Sequence, residues 1–416
     1  MVRGSPHAHL RYASIAVPSP DLSVIVVHHR GREHLLEGLG ALETALTGLA
    51  SEVILVDNTG GAPLGEVFRR HPALSHVPAG GNAGFAKGCR LGAESARGPI
   101  LLFVNDDAVV AQDAPKLLQE ALTSAPEDVV AVAGRLTDQT GMRNDFSDGF
   151  LTFDGHAFAS DVGAPLASLP PASPGEERLF ACGGLMAARR EEFLSSGGFD
   201  EDYFAYLEDV DFGWRQWILG RRILAEPRAT ARHRGGATGE ALGIFARGFL
   251  FEKNAFATAY KNFDSEHFQA LMPAVLATFL SRIAEMLFAR NPRAEKLRRD
   301  PYDEAPEKGS ALRAFFGISR SAGAGVSLED PLTIAHLQAL LWIHRHQEAL
   351  AAKRKAVQSR RRRPDAEIFA KFPLYLVPTY PGDERFDSDF FREFLQGAPP
   401  LVETTLAEVL AAARNA

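Results

Sequence analysis

Short, β-branched apolar runs alternate with amphipathic stretches through the first half of this chain, and that alternation limits the fold more than any other feature. LSVIVV (22–27), EVILVDN (52–58), PILLFVNDDAVV (99–110) and VVAVAGRL (129–136) each have the length and continuous apolar character of a strand buried on both faces. Between them, roughly 32–50, 85–96 and 114–125 carry helical spacing, the first with Leu35, Leu36, Leu39, Leu42, Leu46 and Leu49 toward one side. A β-α-β-α order predicts an α/β fold with a mostly parallel, doubly wound sheet, in which ligands bind beyond the carboxyl ends of the strands.

Periodicity fails over 137–178, which is rich in Gly, Pro, Ser and Asp and reads as an irregular excursion with room for a hairpin. It returns in LFACGGLMAARREEFLSSGGF (179–199), a strand followed by a helix. From about 242 helical patterns dominate, clearest over 243–263, 266–290 and 331–359. The expected organisation is a flexible leader (1–20), an α/β domain (21–242), a helical extension packed on it (243–290), a linker (291–330) and a C-terminal helical region (331–416).

Composition excludes several classes. The net charge of −7 over 416 residues argues against nucleic acid as a partner. The two cysteines, Cys89 and Cys182, are far apart and form no CxxC pair, so neither a disulfide scaffold nor a zinc ribbon is expected, and a reducing cytoplasm fits. The longest apolar run, 271–280, is interrupted by Arg282 and Glu285, so a spanning helix is not expected, although a helix lying on a surface is compatible.

Four segments carry possible chemistry. Asn105-Asp106-Asp107 follows the strand ILLFV, where oxygen ligands at i and i+2 can hold a divalent ion bridging a diphosphate. The plainer reading is an Asx-rich turn. Asp57-Asn58 ends another strand and suits a ribose or base contact, or equally a turn. GGNAGFAKG (80–88) brings backbone N–H groups near an anion but lacks the P-loop lysine pattern. The densest segment is GGFDEDYFAYLEDVDFGWRQWILGRRILAEPRATARHRGG, in which Glu208, Asp209 and Asp211 open an amphipathic helix and His233 stands among glycines after a short strand. Capping by the helix dipole explains part of this acidity but not the whole segment.

Taken in order, SVIVVHHRGREHLLEGLGAL, EVILVDNTG, GNAGFAKGCRLGAESARGPILLFVNDDAVV, FACGGLMAARREEFLSSGGFDEDYFAYLEDVDFGWR and ARHRGG resemble family 2 glycosyltransferases of the GT-A fold, in particular the rhamnosyltransferase-like and galactofuranosyltransferase-like branch. The resemblance covers roughly 22–240. It implies an inverting, metal-dependent transfer of a sugar from a nucleotide-diphosphate donor, TDP- or UDP-linked, to a hydroxyl of a glycan or lipid-linked acceptor in cell-envelope or polysaccharide synthesis. On this resemblance Asp57 contacts the nucleotide, while Asn82 and the glycines Gly81 and Gly84 shape its pocket. Asn105 and Asp107 take the outer positions of a DxD-type motif around Asp106. His233 joins Asp107 and Asn105 at a Mn²⁺ or Mg²⁺ ion. Asp209 is the general base, with Glu208 beside it. Cys182, Gly183, Gly184 and Trp214 are placed on the acceptor side. The family's Asn-Arg-like element after the first strand is replaced by His28-His29-Arg30-Gly31-Arg32, which puts His28 at the donor entrance, and the first DxD position is Asn rather than Asp.

Two other classes are compatible with parts of the pattern. A sugar nucleotidyltransferase also needs acidic metal ligands, but calls for a glycine-rich loop after the first strand that HHRGRE does not supply. A non-catalytic scaffold has no physical need for Asp107, Asp209 and His233 together. RGFLFEKNAFATAYKNF (247–263) also resembles the helix that follows the catalytic domain in this family, and beyond it the resemblance ends. KRKAVQSRRRR (353–363), with seven basic residues in eleven, reads first as a solvated helix end and second as a contact for phosphate or anionic lipid at a membrane surface. The long helices are expected to pack on the α/β domain and could also form a homodimer contact. His336, His344 and His346 read as ordinary helix-face residues.

Overall fold

In the computed structural model, residues 19–235, 237–291, 330–406 and 408 are described. The leader expected over 1–20 and the linker expected over 291–330 lie, but for their end residues, outside them.

The alternating first half builds β1 (Leu22–His28), α1 (Arg32–Ala45), β2 (Ser51–Asp57), α2 (Gly65–Arg70), β3 (Ser75–Pro78), α3 (Phe85–Ser95), β4 (Ile100–Asn105), β5 (Ala108–Val110), α4 (Ala114–Ser124) and β6 (Val129–Thr137). After the short β7 (Asn144–Phe146), the strand β10 (Leu185–Arg189), the helices α5 (Arg190–Ser195) and α6 (Glu208–Ile218), and β11 (Arg222–His233) complete the large sheet. Its order is β3-β2-β1-β4-β10-β6-β11-β5, with β7 beside β6. The edge made by β3, β2, β1 and β4 is parallel, as expected. β10 enters antiparallel between β4 and β6, which makes the sheet mixed. Strand residues alternate between two apolar layers. Val24, Val26, Leu55 and Leu102 meet Leu35, Leu39 and Leu118 on one face, while Ile25, Val27, Ile54 and Phe103 meet Cys89, Ala93 and Phe193 on the other. That is the doubly wound arrangement the pattern demands. α3 lies unusually close to β1, because a Cβ at Gly88 would stand 2.5 Å from the Val27 side chain.

The excursion holds the hairpin for which its sequence left room, and this hairpin meets the C-terminus in a second sheet that the sequence does not announce. β8 (Gly149–Thr152) and β9 (Ala157–Ala159) form a hairpin, and β12 (Leu374–Leu376) runs parallel to β8 with β13 (Val402–Glu403) outside it. The region expected to be helical over 331–416 therefore also contributes strands.

Three long helices cover the domain: α7 (Ala237–Asn262, broken at Gly243), α8 (Ser265–Arg290) and α9 (Pro331–Ser359), followed by α10 (Asp365–Lys371) and α11 (Asp389–Phe394). Ser265–Phe288 is long and apolar enough to cross a membrane by length and composition, with a mean hydropathy of 1.5, and half of it is buried in the protein. The sequence reading set this stretch aside because of Arg282, and Arg282 explains the packing. Its guanidinium is buried and binds Asp154 at 2.9 Å and Asp383 at 2.7 Å, with Glu252 of α7 at 3.6 Å. His156 joins this cluster through Asp154 at 3.1 Å and Glu252 at 3.3 Å. The β8–β9 turn, α7, α8 and the C-terminal segment are thus tied at one buried ionic point.

Candidate active site

The strand register assembles the cleft. Val27 pairs with Val56 on one side and with Asn105 on the other, and His28 pairs with Asp57, so three polar strand ends stand side by side at the carboxyl edge. Each serves differently. His28 is buried, and its Nδ1 lies 2.6 Å from Asp106 Oδ2. Burial, only partly offset by His28, raises the Asp106 pKa. The pair braces β1 against the acidic turn rather than offering free groups to a donor. Asp57 Oδ1 accepts the Thr59 N–H at 3.0 Å and its hydroxyl at 2.7 Å, and His76 lies 3.3 Å from Oδ2. Burial opposes ionisation of Asp57, but these contacts win and lower its pKa. Asn82 is anchored through Asn58, whose Nδ2 donates to Asn82 Oδ1 at 3.3 Å and to the Gly84 carbonyl at 3.2 Å. Beside this edge His29, Arg30, Arg32, His34 and Thr59 line a cavity of about 480 Å³, where the sequence placed the donor entrance.

Gly84 occupies a conformation that only glycine adopts readily, with φ 85° and ψ 169°, and a Cβ there would lie 2.5 Å from the Phe204 carbonyl. Gly84→Ala is expected to lower stability by about 1–3 kcal/mol, read as a fall in denaturation midpoint, and to loosen the loop before α3.

The third strand end carries the metal-type residues. His233, at the end of β11, places Nε2 3.1 Å from Asp107 Oδ1 and 3.1 Å from Asn105 Nδ2. Its Nδ1 lies 2.6 Å from Asp145 Oδ2. Burial works against a charge on His233, but hydrogen bonds to Asp107 and Asp145 prevail and raise its pKa to about 10. Asp107 is held below its ordinary pKa because the His233 contact outweighs burial. Asp145 is a residue the sequence reading missed. It sits on the three-residue β7 inside the aperiodic excursion, and the only signal was an Asp in a polar stretch. A carboxylate on Nδ1 keeps the proton on that nitrogen, so that loss of the Nε2 proton to an incoming cation would leave Nε2 as a ligand, the common arrangement behind a metal-bound histidine.

Asp209 lies across a single turn from this group. Its Oδ2 accepts the Gly183 N–H at 3.1 Å and its Oδ1 the Val210 N–H at 2.9 Å, while the neighbouring Gly184 carbonyl accepts the Asn105 N–H at 3.1 Å. The Cys182-Gly183-Gly184 turn therefore joins the acidic turn to the helix start. Burial raises the Asp209 pKa, against the two N–H donors. It raises that of Glu208 further, where the charge of Asp209 adds to burial and Oε2 has no hydrogen-bond partner among the described residues. Burial and then Asp209 also raise the Cys182 pKa, so this residue lines the site as a thiol.

Two members of the helix segment do not reach the cleft. Trp214, expected on the acceptor side, is fully buried, donates to Asp365 at 3.2 Å and packs edge-on against Phe263 and Phe369. Five residues beyond Asp209, about one and a half turns on, its face of α6 points into the helical extension. Asp211 is likewise interior, bound to Arg215 at 2.8 Å, Lys261 at 3.1 Å and Asn262 at 3.0 Å.

The loop before α6 is strained. Phe204, Tyr206 and Leu207 have φ of 64°, 70° and 64° without being glycine. Asn254 of α7, fully buried, directs its amide at the carbonyls of Tyr203, Ala205 and Tyr206 at 3.1, 2.9 and 2.7 Å and so holds the loop in that shape.

One other group, Asp264, His267 and Asp365, brings three ligand-type atoms within 4.8 Å of one another. Its oxygens are already engaged. Asp264 accepts from the amides of His267 and Asp365 at 2.9 Å each, and Asp365 accepts from the Asp264 amide at 2.6 Å and from Arg361 at 2.9 Å. The reciprocal caps and the adjacent guanidinium mark it as a staple between helices.

Residues 23–193 match the sequence profile of the family described as Glycosyl transferase family 2. The matched part holds the Gly80–Gly88 loop, the acidic turn and the Cys182–Gly184 turn, and it ends within α5, before Asp209 and His233. No curated protein matches the chain significantly. Similar solved structures include GalNAc-T7 with UDP, GalNAc and Mn²⁺, at 15% identity and TM-score 0.46 over 62% of this chain and 51% of that one. Others are the mannosyltransferase PcManGT from Pyrobaculum calidifontis with GDP-Man and Mn²⁺ (18%, TM-score 0.45, 78% and 87% covered) and S. aureus TarS 1–349 with UDP (18%, TM-score 0.39, 82% and 90% covered). The chain spans about half the length of the first. None of the three superposes closely enough to transfer a residue.

Proposed function

We propose that the chain is an inverting glycosyltransferase, moving a sugar from a nucleotide-diphosphate donor to a hydroxyl of a glycan or lipid-linked acceptor on the cytoplasmic side of the membrane. The branch resemblance favours a TDP- or UDP-linked sugar and a role in cell-envelope or extracellular polysaccharide synthesis. The observation that carries the reading is the placement of Asp209 and of the Asp107–His233 pair on either side of the Cys182–Gly184 turn, at the sheet's carboxyl edge.

Asp107 and His233, with Asn105 beside them, suit a Mn²⁺ or Mg²⁺ ion, since Asp145 directs His233 Nε2 toward the Asp107 carboxylate. Such an ion supplies positive charge to a diphosphate leaving group. The protein's own steps are fewer. The nucleotide loop holds the donor, and Asp57 offers an ionised acceptor at the ribose side. Asp209 takes the proton from the acceptor hydroxyl as that oxygen bonds to the anomeric carbon, and the bond from that carbon to the diphosphate oxygen breaks. A single base with direct displacement inverts the centre, in contrast to the paired carboxylates of retaining hydrolases.

The test is nucleoside-diphosphate release from a panel of nucleotide sugars, read beside donor-induced thermal stabilisation. With the productive donor, EDTA is expected to abolish release and Mn²⁺ to restore it, while Asp107→Ala stays inactive at Mn²⁺ concentrations that saturate wild type. Absence of both release and stabilisation across the panel with metal present would remove the enzyme reading.

A further inference from the structure

The basic run at the end of α9 is not one solvated patch. Arg354 donates to the carbonyls of Tyr260 and Phe263 at 2.6 Å each, with its guanidinium 3.9 Å from the Phe268 ring centre. Lys353 is paired with Asp200 and Asp202. Arg361 donates to Asp365 at 2.9 Å and to the Asn262 carbonyl, and Arg363 lies 4.9 Å over the Trp217 ring while reaching the carbonyls of Gly220 and Arg221. These side chains fasten α9 to the α/β domain and to α7.

Arg360 and Arg362 alternate with them and do neither. Both are exposed. Among the described residues the Arg362 guanidinium has no hydrogen bond or ion pair, and that of Arg360 has one, to the Ser195 carbonyl at 3.3 Å. Their backbone is nevertheless fixed, because the amides of Arg362 and Arg363 both donate to the Ile218 carbonyl, at 2.8 and 3.2 Å, and so also cap the end of α6. Across from them stands Arg221, from the turn between α6 and β11. Arg221, Arg360, Arg361 and Arg362 line one cavity of about 350 Å³ together with Leu219 and Ser359. Among the described residues carboxylates engage only two of the four, Glu192 on Arg221 and Asp365 on Arg361. Burial, and beyond it the like charges of Arg360 and Arg362, lower the Arg221 pKa against the pull of Glu192.

Arg360 and Arg362, held on a fixed backbone without a carboxylate partner among the described residues and facing the Glu192-paired Arg221, match a tetrahedral oxyanion, whose oxygens accept paired N–H bonds. The cavity volume is that of a small-ligand site. We propose that Arg360, Arg362 and Arg221 form a binding site for a phosphate group, distinct from the donor cleft and at the opposite end of α6 from Asp209, about 14 Å along the helix. The ligand is a phosphodiester or diphosphate, carried by an anionic lipid headgroup or by a soluble phosphate compound.

The double variant Arg360→Ala/Arg362→Ala tests this. It removes one long side-chain hydrogen bond, so its Tm and its donor hydrolysis are expected to match wild type, and neither arm below depends on the transferase reading. In one arm, pyrophosphate is titrated into both proteins by calorimetry. In the other, both are floated with vesicles of phosphatidylcholine alone or mixed with phosphatidylglycerol. A loss of affinity of about tenfold or more in the variant is expected. Loss of flotation with the anionic vesicles assigns the site to a lipid headgroup, and loss confined to pyrophosphate assigns it to a soluble phosphate. Equal behaviour of the two proteins in both arms overturns the proposal.

Discussion

Asp209→Asn is expected to slow sugar transfer by about 10²–10⁴-fold while leaving donor-induced thermal stabilisation in place. The substitution keeps the size of the side chain and removes only its ability to take a proton. Asp209 is poised for that role because burial raises its pKa and two backbone N–H groups fix its direction. A base must be deprotonated to act, so kcat should rise with pH through a pKa above the usual carboxylate range. Glu208, whose ionisation burial and its neighbour's charge disfavour, gives a contrasting control. Glu208→Gln resembles its protonated form and should retain far more activity than Asp209→Asn. Equal losses in the two variants would move the base elsewhere in the segment.

The largest loss of stability is expected from Arg282→Ala, on the order of 3–5 kcal/mol, enough to unfold a marginal domain near 37 °C. The guanidinium compensates Asp154, Asp383 and Glu252, all buried, and its removal leaves Asp383 without an ion-pair partner among the described residues and the other two facing only histidines, His156 and, for Glu252, His336. The same cluster sets an alkaline limit. Burial opposes a charge on His156, but Asp154 and Glu252 overcome it and raise its pKa to about 9. Because this folded value exceeds the ordinary 6.5, the stabilisation is complete below about pH 6.5 and is lost as pH rises through about 9, on the order of 3 kcal/mol in all. Asp154 and Glu252 are depressed despite burial, so their stabilisation persists on the acid side to below the usual carboxylate range. Thermal melts from pH 6 to 10 should therefore fall on the alkaline side in wild type and flatten in His156→Gln.

The sequence made the cleft legible where side-chain pattern and backbone direction coincide. Apolar runs that end in His28, Asp57 and Asn105 fix a shared edge, because parallel strands in register deliver their termini together. The segment around Asp209 was legible as a site but not residue by residue. Ten of the eleven residues of α6 are buried, so amphipathic spacing could not tell a cleft-facing Asp209 from an interior Asp211 or Trp214. Asp145 escaped notice because β7 is too short to show a period. The β8–β12 pairing joins Leu151 to Leu374, and nothing local announces so distant a partner. The bends at Phe204, Tyr206 and Leu207 were hidden for the opposite reason: residues of these types ordinarily avoid positive φ.

Those bends matter for how far the catalytic unit extends. The amide of Asn254 holds them from a helix that begins after the sheet is complete. A chain cut before residue 237 would keep every strand of the large sheet yet release the loop that aims Asp209. The boundary of homology and the boundary of competence therefore differ, and transplanting the α/β half alone into another protein should carry over donor recognition without turnover.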